Sequence, residues 1–576
     1  MSGILFEVTV IICFAALISI IFRFLKQPPI LAYILTGIII GPFGQLQLQN
    51  HADLRMMAQF GITLLLFMLG LELKLKDLRS IGSTAFFIGI PQIILTAALG
   101  YFISFLLGFS LISSFYIAVA LSFSSTIIIV KLLSAKKDLQ SLYGKISIGM
   151  LLIQDFFAVF VLIFLSVFNK GSQELLLTQH LALIIVKAIL LFAFVIFLSK
   201  KVFPLILDKL ARSEETLILF SLAWVLGLSA LVSSQIIGFS IEIGGFLAGV
   251  ALANSKENFQ IIARVRALQD FFITIFFVVL GMEAATGDLG KVLVPALIFS
   301  VFVILGKPLI IMIIMGLFGH RKRTSLLTGI HMAQISEFSL IIIFLGSKLG
   351  HVTNDIVILM TTVGLVTFAA STYMSTHANS FYKHTKNYLG IFEIGKIREG
   401  KEESEGLDDL SDHVALIGAN RMGSGILDAL LEEGEKVIVV DFDPDIIKDL
   451  KEKGVISIFG DISDIDIQQR LQLHRAKLVI STVSDVDDNI LLIDGLHHTK
   501  NLPALSVRQA GERQVSAKII VVAQDFDDAK KLYDAGADYV VIPHIIGGKH
   551  LAKMIKENTL DKIDGRKSSK DFMRLG

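Results

Sequence analysis

Between Ile4 and Met374 the sequence is largely apolar, and four places put groups able to hold a charge or a cation deep inside an apolar stretch. Asp155 follows Gln154 in Leu151-Leu152-Ile153-Gln154-Asp155-Phe156-Phe157, and Lys307 precedes Pro308. Ser122, Ser124, Ser125 and Thr126 form one short polar run; Gln334, Ser336, Glu337 and Ser339 form another. A charge at the centre of a membrane helix costs about 2.5–3.5 kcal/mol, so each one needs a partner, a water-filled cavity or a function. A buried carboxylate is neutralised either by a proton or by a neighbouring cation, and the two compete. The chemistry to expect is therefore competition between a cation and H+ for Asp155. The plainer readings are that the Ser and Thr hydroxyls bond back to their own helices and that Asp155 forms a buried ion pair with Lys307 without further role.

Those groups must be carried by membrane helices. The 576 residues are 54% hydrophobic and 18% charged, outside the balance of a soluble globular chain. Thirteen apolar stretches are long enough to cross a hydrocarbon core of about 30 Å. The polar runs interrupt the fifth (roughly 112–134) and the twelfth (roughly 324–349), while Asp155 and Lys307 lie in the sixth (roughly 144–168) and the eleventh (roughly 292–318). A broken helix beside an ion-carrying helix, repeated in reversed order, predicts inverted repeats with two broken crossing helices. Lys and Arg gather after the odd-numbered stretches, among them Arg23, Lys26, Lys136, Lys200, Arg266, Arg321, Lys322 and Arg323. That asymmetry places the N-terminus outside and the C-terminal part in the cytoplasm, as a multi-pass protein of the cell (inner) membrane. Met1 to Val8 lacks a basic leader region, so the first stretch reads as a retained helix. Cys13 is the sole cysteine, which excludes a disulfide framework and a thiolate metal cluster. A net charge of +1 without a long basic run gives no footprint for nucleic acid.

Composition divides the chain into a transmembrane region (1–378), a charged linker (379–411), an α/β domain (412–545) and a tail (546–576). In the α/β domain the short strand Val414-Ala415-Leu416-Ile417 leads into the turn Gly418-Ala419-Asn420-Arg421-Met422-Gly423, then a helix, then Val437-Ile438-Val439-Val440 ending at Asp441. This is a Rossmann-type fingerprint, in which phosphates meet a helix N-terminus and the acid holds ribose hydroxyls. Asn420 occupies the second glycine position; it tolerates left-handed backbone yet takes room that a pyrophosphate would approach, which favours a mononucleotide. No hydride-acceptor site or catalytic acid accompanies the fingerprint, so neither an enzyme nor a catalytic cofactor is expected.

With these residues in place, the chain resembles the monovalent cation:proton antiporter-2 family, and within it the Kef-type potassium/proton exchangers. The carriers are Pro28-Pro29-Ile30-Leu31-Ala32-Tyr33 with Gly37-Ile38-Ile39-Ile40-Gly41-Pro42, Leu66-Phe67-Met68-Leu69-Gly70-Leu71-Glu72-Leu73, Gly244-Gly245-Phe246-Leu247-Ala248-Gly249, Phe276-Phe277-Val278-Val279-Leu280-Gly281-Met282 and Gln334-Ile335-Ser336-Glu337-Phe338. The resemblance implies a sodium/proton-antiporter-like fold of about 13 helices, a dimerising part and a mobile core working by elevator-like alternating access. It makes Asp155 the ion-binding carboxylate and Lys307 its basic counterpart, with Ser125, Thr126 and the Gln334 to Glu337 run lining the crossing. Electrogenic relatives carry a second Asp where Gln154 stands, which implies electroneutral exchange and, as in the potassium-handling branch, K+ over Na+. The C-terminal part resembles the N-terminal domain of regulators of potassium conductance (RCK), which implies that Gly418, Arg421, Gly423, Asp441, Asp461 and Thr482 surround a regulatory nucleotide: AMP, ATP or NAD(H).

The rival function is a ligand-gated, potassium-channel-like efflux pathway. Thr362-Val363-Gly364-Leu365 faintly echoes a selectivity filter, but it lies inside the last apolar stretch and lacks the following Tyr-Gly. An ATP-driven pump would need a Gly-rich Lys-Ser/Thr loop that the sequence does not contain. Glu72 and Glu242, near stretch ends, read as solvated or capping acids first and as transport residues second.

Overall fold

The computed structural model describes residues 4–41, 51–72, 82–136, 138–167, 186–187, 190–191, 193–210, 213–234, 237–285, 289–385, 388–393, 411–420, 422–460, 462, 465–500 and 517–557. Two compact units emerge: Met1–Ala135, Tyr143–Ile314 and Leu326–Thr385 form the first, and Lys136–Leu142, Met315–Ser325 and Lys386–Gly576 the second.

The first unit is helical. Its helices are α1 (Ile4–Phe24), α2 (Pro29–Ile40), α3 (His51–Glu72), α4 (Gly82–Leu106), α5 (Leu111–Ser122), α6 (Thr126–Lys136), α7 (Leu142–Val167), α8 (Phe203–Leu210), α9 (Glu214–Val232), α10 (Ile241–Leu252), α11 (Asn258–Ala285), α12 (Leu289–Val301), α13 (Lys307–Leu317), α14 (Lys322–His331), α15 (Glu337–Lys348), α16 (Asn354–Thr376) and α17 (Ala378–Thr385). Among the described residues nine helical spans are long and apolar enough to cross a membrane, with α2 and α10 as shorter apolar helices. The expected seventh stretch lies partly outside the described residues. Leu5, Phe102, Phe160, Leu219 and Leu297 point outward and are exposed, as lipid-facing positions require.

The polar runs sit at gaps in the helices. The backbone leaves helical form over 123–125, between α5 and α6, and again over 332–336, between α14 and α15. A π-helical turn, Phe302–Gly306, joins α12 to α13 immediately before Lys307, the kind of local irregularity that collects at functional positions. Elsewhere helices meet backbone to backbone. A Cβ on Gly37 of α2 would lie 2.0 Å from the Val278 carbonyl oxygen, and one on Gly281 of α11 would lie 2.1 Å from that of Ile34. Gly70 of α3 and Gly249 of α10 meet in the same way, at 2.4 Å from Phe246 O and 2.1 Å from Phe67 O.

The second unit is built on a six-stranded parallel sheet of order β3-β2-β1-β4-β5-β6. Its strands are β1 (His413–Ile417), β2 (Val437–Asp441), β3 (Ile456–Phe459), β4 (Ala476–Ser481), β5 (Lys518–Val522) and β6 (Tyr539–Val541). β1 and β2 are buried throughout, as near-continuous apolar runs in a parallel sheet demand. The strand order reverses between β1 and β4, which opens the binding crevice at their carboxyl ends. Helices α18 (Met422–Glu432), α19 (Pro444–Glu452), α20 (Ile465–Arg470), α21 (Val486–Lys500), α22 (Phe526–Ala535) and α23 (Pro543–Lys556) complete it. α23 runs across position 546, where the tail was expected to begin.

Two short earlier segments, Lys136–Leu142 and Met315–Ser325, belong to this unit. Arg323 forms a buried ion pair with Asp488 at 3.0 Å, and Glu393 Oε1 accepts from the Lys322 amide at 3.1 Å. Asp138 hydrogen-bonds Asp485, whose carboxyl is pushed up to about 8 by burial and then by this neighbour.

Candidate functional site

The two gaps cross, and their side chains bridge them. Ser125 donates to Glu337 Oε1 at 2.6 Å, Ser124 donates to the Met332 carbonyl at 3.2 Å, and Ser339 donates to the Ala120 carbonyl at 2.5 Å. Gln334 donates to the Ser125 carbonyl at 3.5 Å and accepts from Ser371 at 2.7 Å. In the first polar run Ser122 donates back to its own helix, at the Ala118 carbonyl. Each gap exposes helix ends whose free carbonyls and amides must be paired. At the N-terminus of α15, Ser336 forms a capping box with Ser339, and at that of α6, Ser125 Oγ accepts from the Ile128 amide at 3.2 Å.

Asp155, on α7, is 6% exposed and accepts from Thr126 Oγ1, at the first residue of α6, at 2.8 Å. Lys307 is fully buried and donates to the Phe123 carbonyl at 2.8 Å and the Gln334 carbonyl at 3.1 Å. Its Nζ therefore pairs with a backbone carbonyl at each of the two gaps. Among the described residues Lys307 and Asp155 make no ion pair, so the buried-pair reading does not describe this structure. Glu337 is 4% exposed and is held by Ser125 and, at 3.5 Å, by Ser336.

Gln154 is fully buried. Its Oε1 accepts from the Ser124 amide at 2.8 Å, and its Nε2 donates to Gln92 Oε1 at 2.5 Å. Gln92, on α4, is the residue that sequence reasoning missed. The signal was available: one amide side chain after Pro91 in the middle of an otherwise apolar helix.

Glu72 pairs with Arg266 at 3.1 Å in the open, both side chains at least half exposed. Glu242 is buried, accepting from Gln59 at 3.2 Å and lying 3.6 Å from Lys348 Nζ. Thr362 to Leu365 is continuous helix, with Thr362 bonded back to Ile358, so the carbonyl-lined loop of a selectivity filter is absent at that place.

In the α/β domain Gly418 has φ +82°, a conformation that Cβ-bearing residues disfavour. A Cβ there would stand 2.5 Å from Thr482 Oγ1, and one at Gly423 would stand 1.9 Å from the Gly418 carbonyl oxygen. The turn is thus closed down to backbone, leaving the N-terminus of α18 as a place where phosphate fits. Asp441 accepts from the Ala419 amide at 2.8 Å and the Asp443 amide at 2.9 Å, which holds its carboxylate at the mouth of the crevice. Asn420 is exposed at the turn, while Arg421 and Asp461 lie outside the described residues.

Residues 10–376 match the transmembrane sodium/hydrogen exchanger family, and residues 414–543 match the TrkA-N domain. The chain belongs to the sodium/hydrogen exchanger family of transmembrane proteins. Its pairing of that region with a TrkA-N domain is the Kef-type arrangement that the sequence resemblance implied. It is 28% identical over 471 residues to YbaL of Escherichia coli (strain K12), named as a candidate cation/proton antiporter, covering 80% of this chain and 83% of that one. It is 30% identical over 368 residues to K(+) efflux antiporter 5 of Arabidopsis thaliana, covering 63% and 64%. Among solved structures it is similar to the sodium proton antiporter MjNhaP1 of Methanocaldococcus jannaschii, with 16% identity, a TM-score of 0.47, and coverage of 67% and 98%.

Proposed function

We propose that the chain exchanges a monovalent cation, K+ in preference to Na+, for H+ across the cell (inner) membrane, with Asp155 as the group that both occupy in turn. The observation carrying this reading is a carboxylate 6% exposed at the crossing whose hydrogen-bond partner is the neutral hydroxyl of Thr126. A carboxylate so buried is stable with a bound cation or with a proton, and not without either. The Nζ of Lys307 is already engaged by two carbonyls, and Gln154 contributes no charge, so the single carboxylate of the Gln154–Asp155 pair supports electroneutral one-for-one exchange. The names of the relatives, cation/proton antiporter and K(+) efflux antiporter, support the same pair of substrates.

On this reading thirteen helices in inverted repeats make up region 1–378 of a homodimer, and the helices bearing the crossing move as an elevator. The N-terminus lies outside and the α/β domain, 412–545, lies in the cytoplasm after the 379–411 linker. That domain takes AMP, ATP or NAD(H) as a regulator, held by the Gly418 to Gly423 turn, Asp441 and Thr482. The test is dissipation of a pH gradient in proteoliposomes under K+, Na+ and Li+, comparing wild type with Asp155→Asn. Cation-driven proton movement in wild type and its loss in the variant are expected; an undiminished rate in Asp155→Asn removes the reading. A reversal potential that moves with voltage removes the electroneutral stoichiometry.

A further inference from the structure

The gap at 123–125 leaves backbone groups on either side without helical partners, and two neutral amides close it. Gln92 Nε2 donates to the Ser122 carbonyl at 3.2 Å and to Thr96 Oγ1 at 3.0 Å. Gln92 Oε1 accepts from Gln154 Nε2, and Gln154 Oε1 accepts from the Ser124 amide. The chain of bonds therefore runs from the last residue of α5, through α4 and α7, back to the residue two before α6. Both glutamines are fully buried, where an unmade hydrogen bond costs its full desolvation.

Position matters as much as satisfaction. Gln154 is the chain neighbour of Asp155, and Ser124 stands two residues before Thr126, the hydrogen-bond partner of Asp155. Both groups that the exchange reading needs are thus tied to one amide pair, and that pair is oriented from outside by Gln92. A glutamine side chain has two possible amide orientations, and only one sets Oε1 toward the Ser124 amide. With Gln92 Oε1 as its neighbour, Gln154 must point its Nε2 there. The charged groups around the crossing, Asp155, Glu337 and Lys307, are each held by other partners.

We infer that Gln92 is a positioning residue for cation/proton exchange, orienting Gln154 and thereby the distance between Asp155 and Thr126. This rests on Asp155 being the exchanging carboxylate. The experiment uses the full chain in proteoliposomes with K+ and Na+ as separate probes, and measures half-saturating cation concentration and rate across a pH series. Wild type, Asp155→Asn, Gln92→Leu, Gln92→Glu and the double variant Gln92→Leu/Gln154→Leu are compared. Gln92→Leu is expected to raise the half-saturating concentration about tenfold, the effect of losing the one buried hydrogen bond that orients Gln154. The double variant is expected to be no worse than Gln92→Leu, because the two residues act as one unit.

Gln92→Glu supplies the readout that a packing role would not move. Its protonated carboxyl keeps one acceptor and one donor, so exchange should approach wild type at acid pH and fall as the carboxylate forms and loses its donor. A wild-type pH profile and half-saturation in Gln92→Glu overturns the inference, and so does an equal loss at every pH. Should Gln92→Leu fail to fold, the Gln92→Glu profile alone decides. Undiminished exchange in Asp155→Asn is the separate outcome that removes the underlying reading instead.

Discussion

Lys307 donates to the Phe123 carbonyl at 2.8 Å, at the residue that follows α5, and to the Gln334 carbonyl at the second gap. One side-chain nitrogen thereby bridges two broken helices. Lys307→Met removes the charge and strands both carbonyls, each at a cost of about 1–3 kcal/mol. The variant is expected to melt at a lower temperature in detergent and to lose exchange; a melting temperature equal to wild type would show that the carbonyls find other partners.

Thr126 Oγ1 is the hydrogen-bond donor to Asp155. Thr126→Val keeps the shape and removes the donor, and the apparent affinity for cation is expected to change about threefold to tenfold. Thr126→Ser should retain wild-type affinity, as measured by half-saturating cation concentration in the same vesicles.

Asp485 accepts from the Asp488 amide at 3.0 Å at the start of α21, and burial with Asp138 alongside raises its carboxyl from 3.8 to about 8. Lys136 and Asp487 also face this cluster. The folded state therefore binds more protons than the unfolded one between about pH 4 and pH 8, so stability falls as pH rises through that window. Hydrogen exchange across 486–500 should accelerate over the same range. Asp485→Asn keeps the cap and should flatten the dependence, protecting the helix at pH 8.

Arg323 and Asp488 are 4% and 7% exposed. Arg323→Met leaves the acid buried without its cation, a loss of about 3–5 kcal/mol. Thermal unfolding of the second unit should shift down accordingly, and Arg323→Met/Asp488→Leu should recover most of the loss.

Asp441 and Gly418 give a test of the nucleotide crevice. Gly418→Ala forces a Cβ against Thr482 Oγ1 at an unfavourable φ, and Asp441→Ala frees two amides. On the proposed reading AMP, ATP or NAD(H) raises the melting temperature of wild type by binding the folded domain, and neither variant is expected to show that rise.

The helical membrane half and the strand-turn-helix of the α/β domain were legible because apolar stretches and the Gly418 to Asp441 spacing report directly on solvent and backbone. The two gaps were legible too, since Ser and Gln runs interrupt apolar helices only at a cost. What each polar residue touches was not. A buried pair of Lys307 with Asp155 was the plainer alternative because opposite charges in lipid usually pair, but carbonyls freed by a helix break have no signature in side-chain identity. Gln92 was hidden for the same reason: its partners are a backbone carbonyl and another neutral amide. The glycine-bearing motifs of α2, α3, α10 and α11 drew attention as family markers, and the structure gives them a packing role through Gly37 with Gly281 and Gly70 with Gly249.

Those contacts leave no side-chain cushion between the paired helices. Sliding one past the other by a single residue would drive a Cβ into a carbonyl oxygen, so α2 with α11 and α3 with α10 behave as welded girders. Tolerance to substitution should accordingly be lowest along these seams.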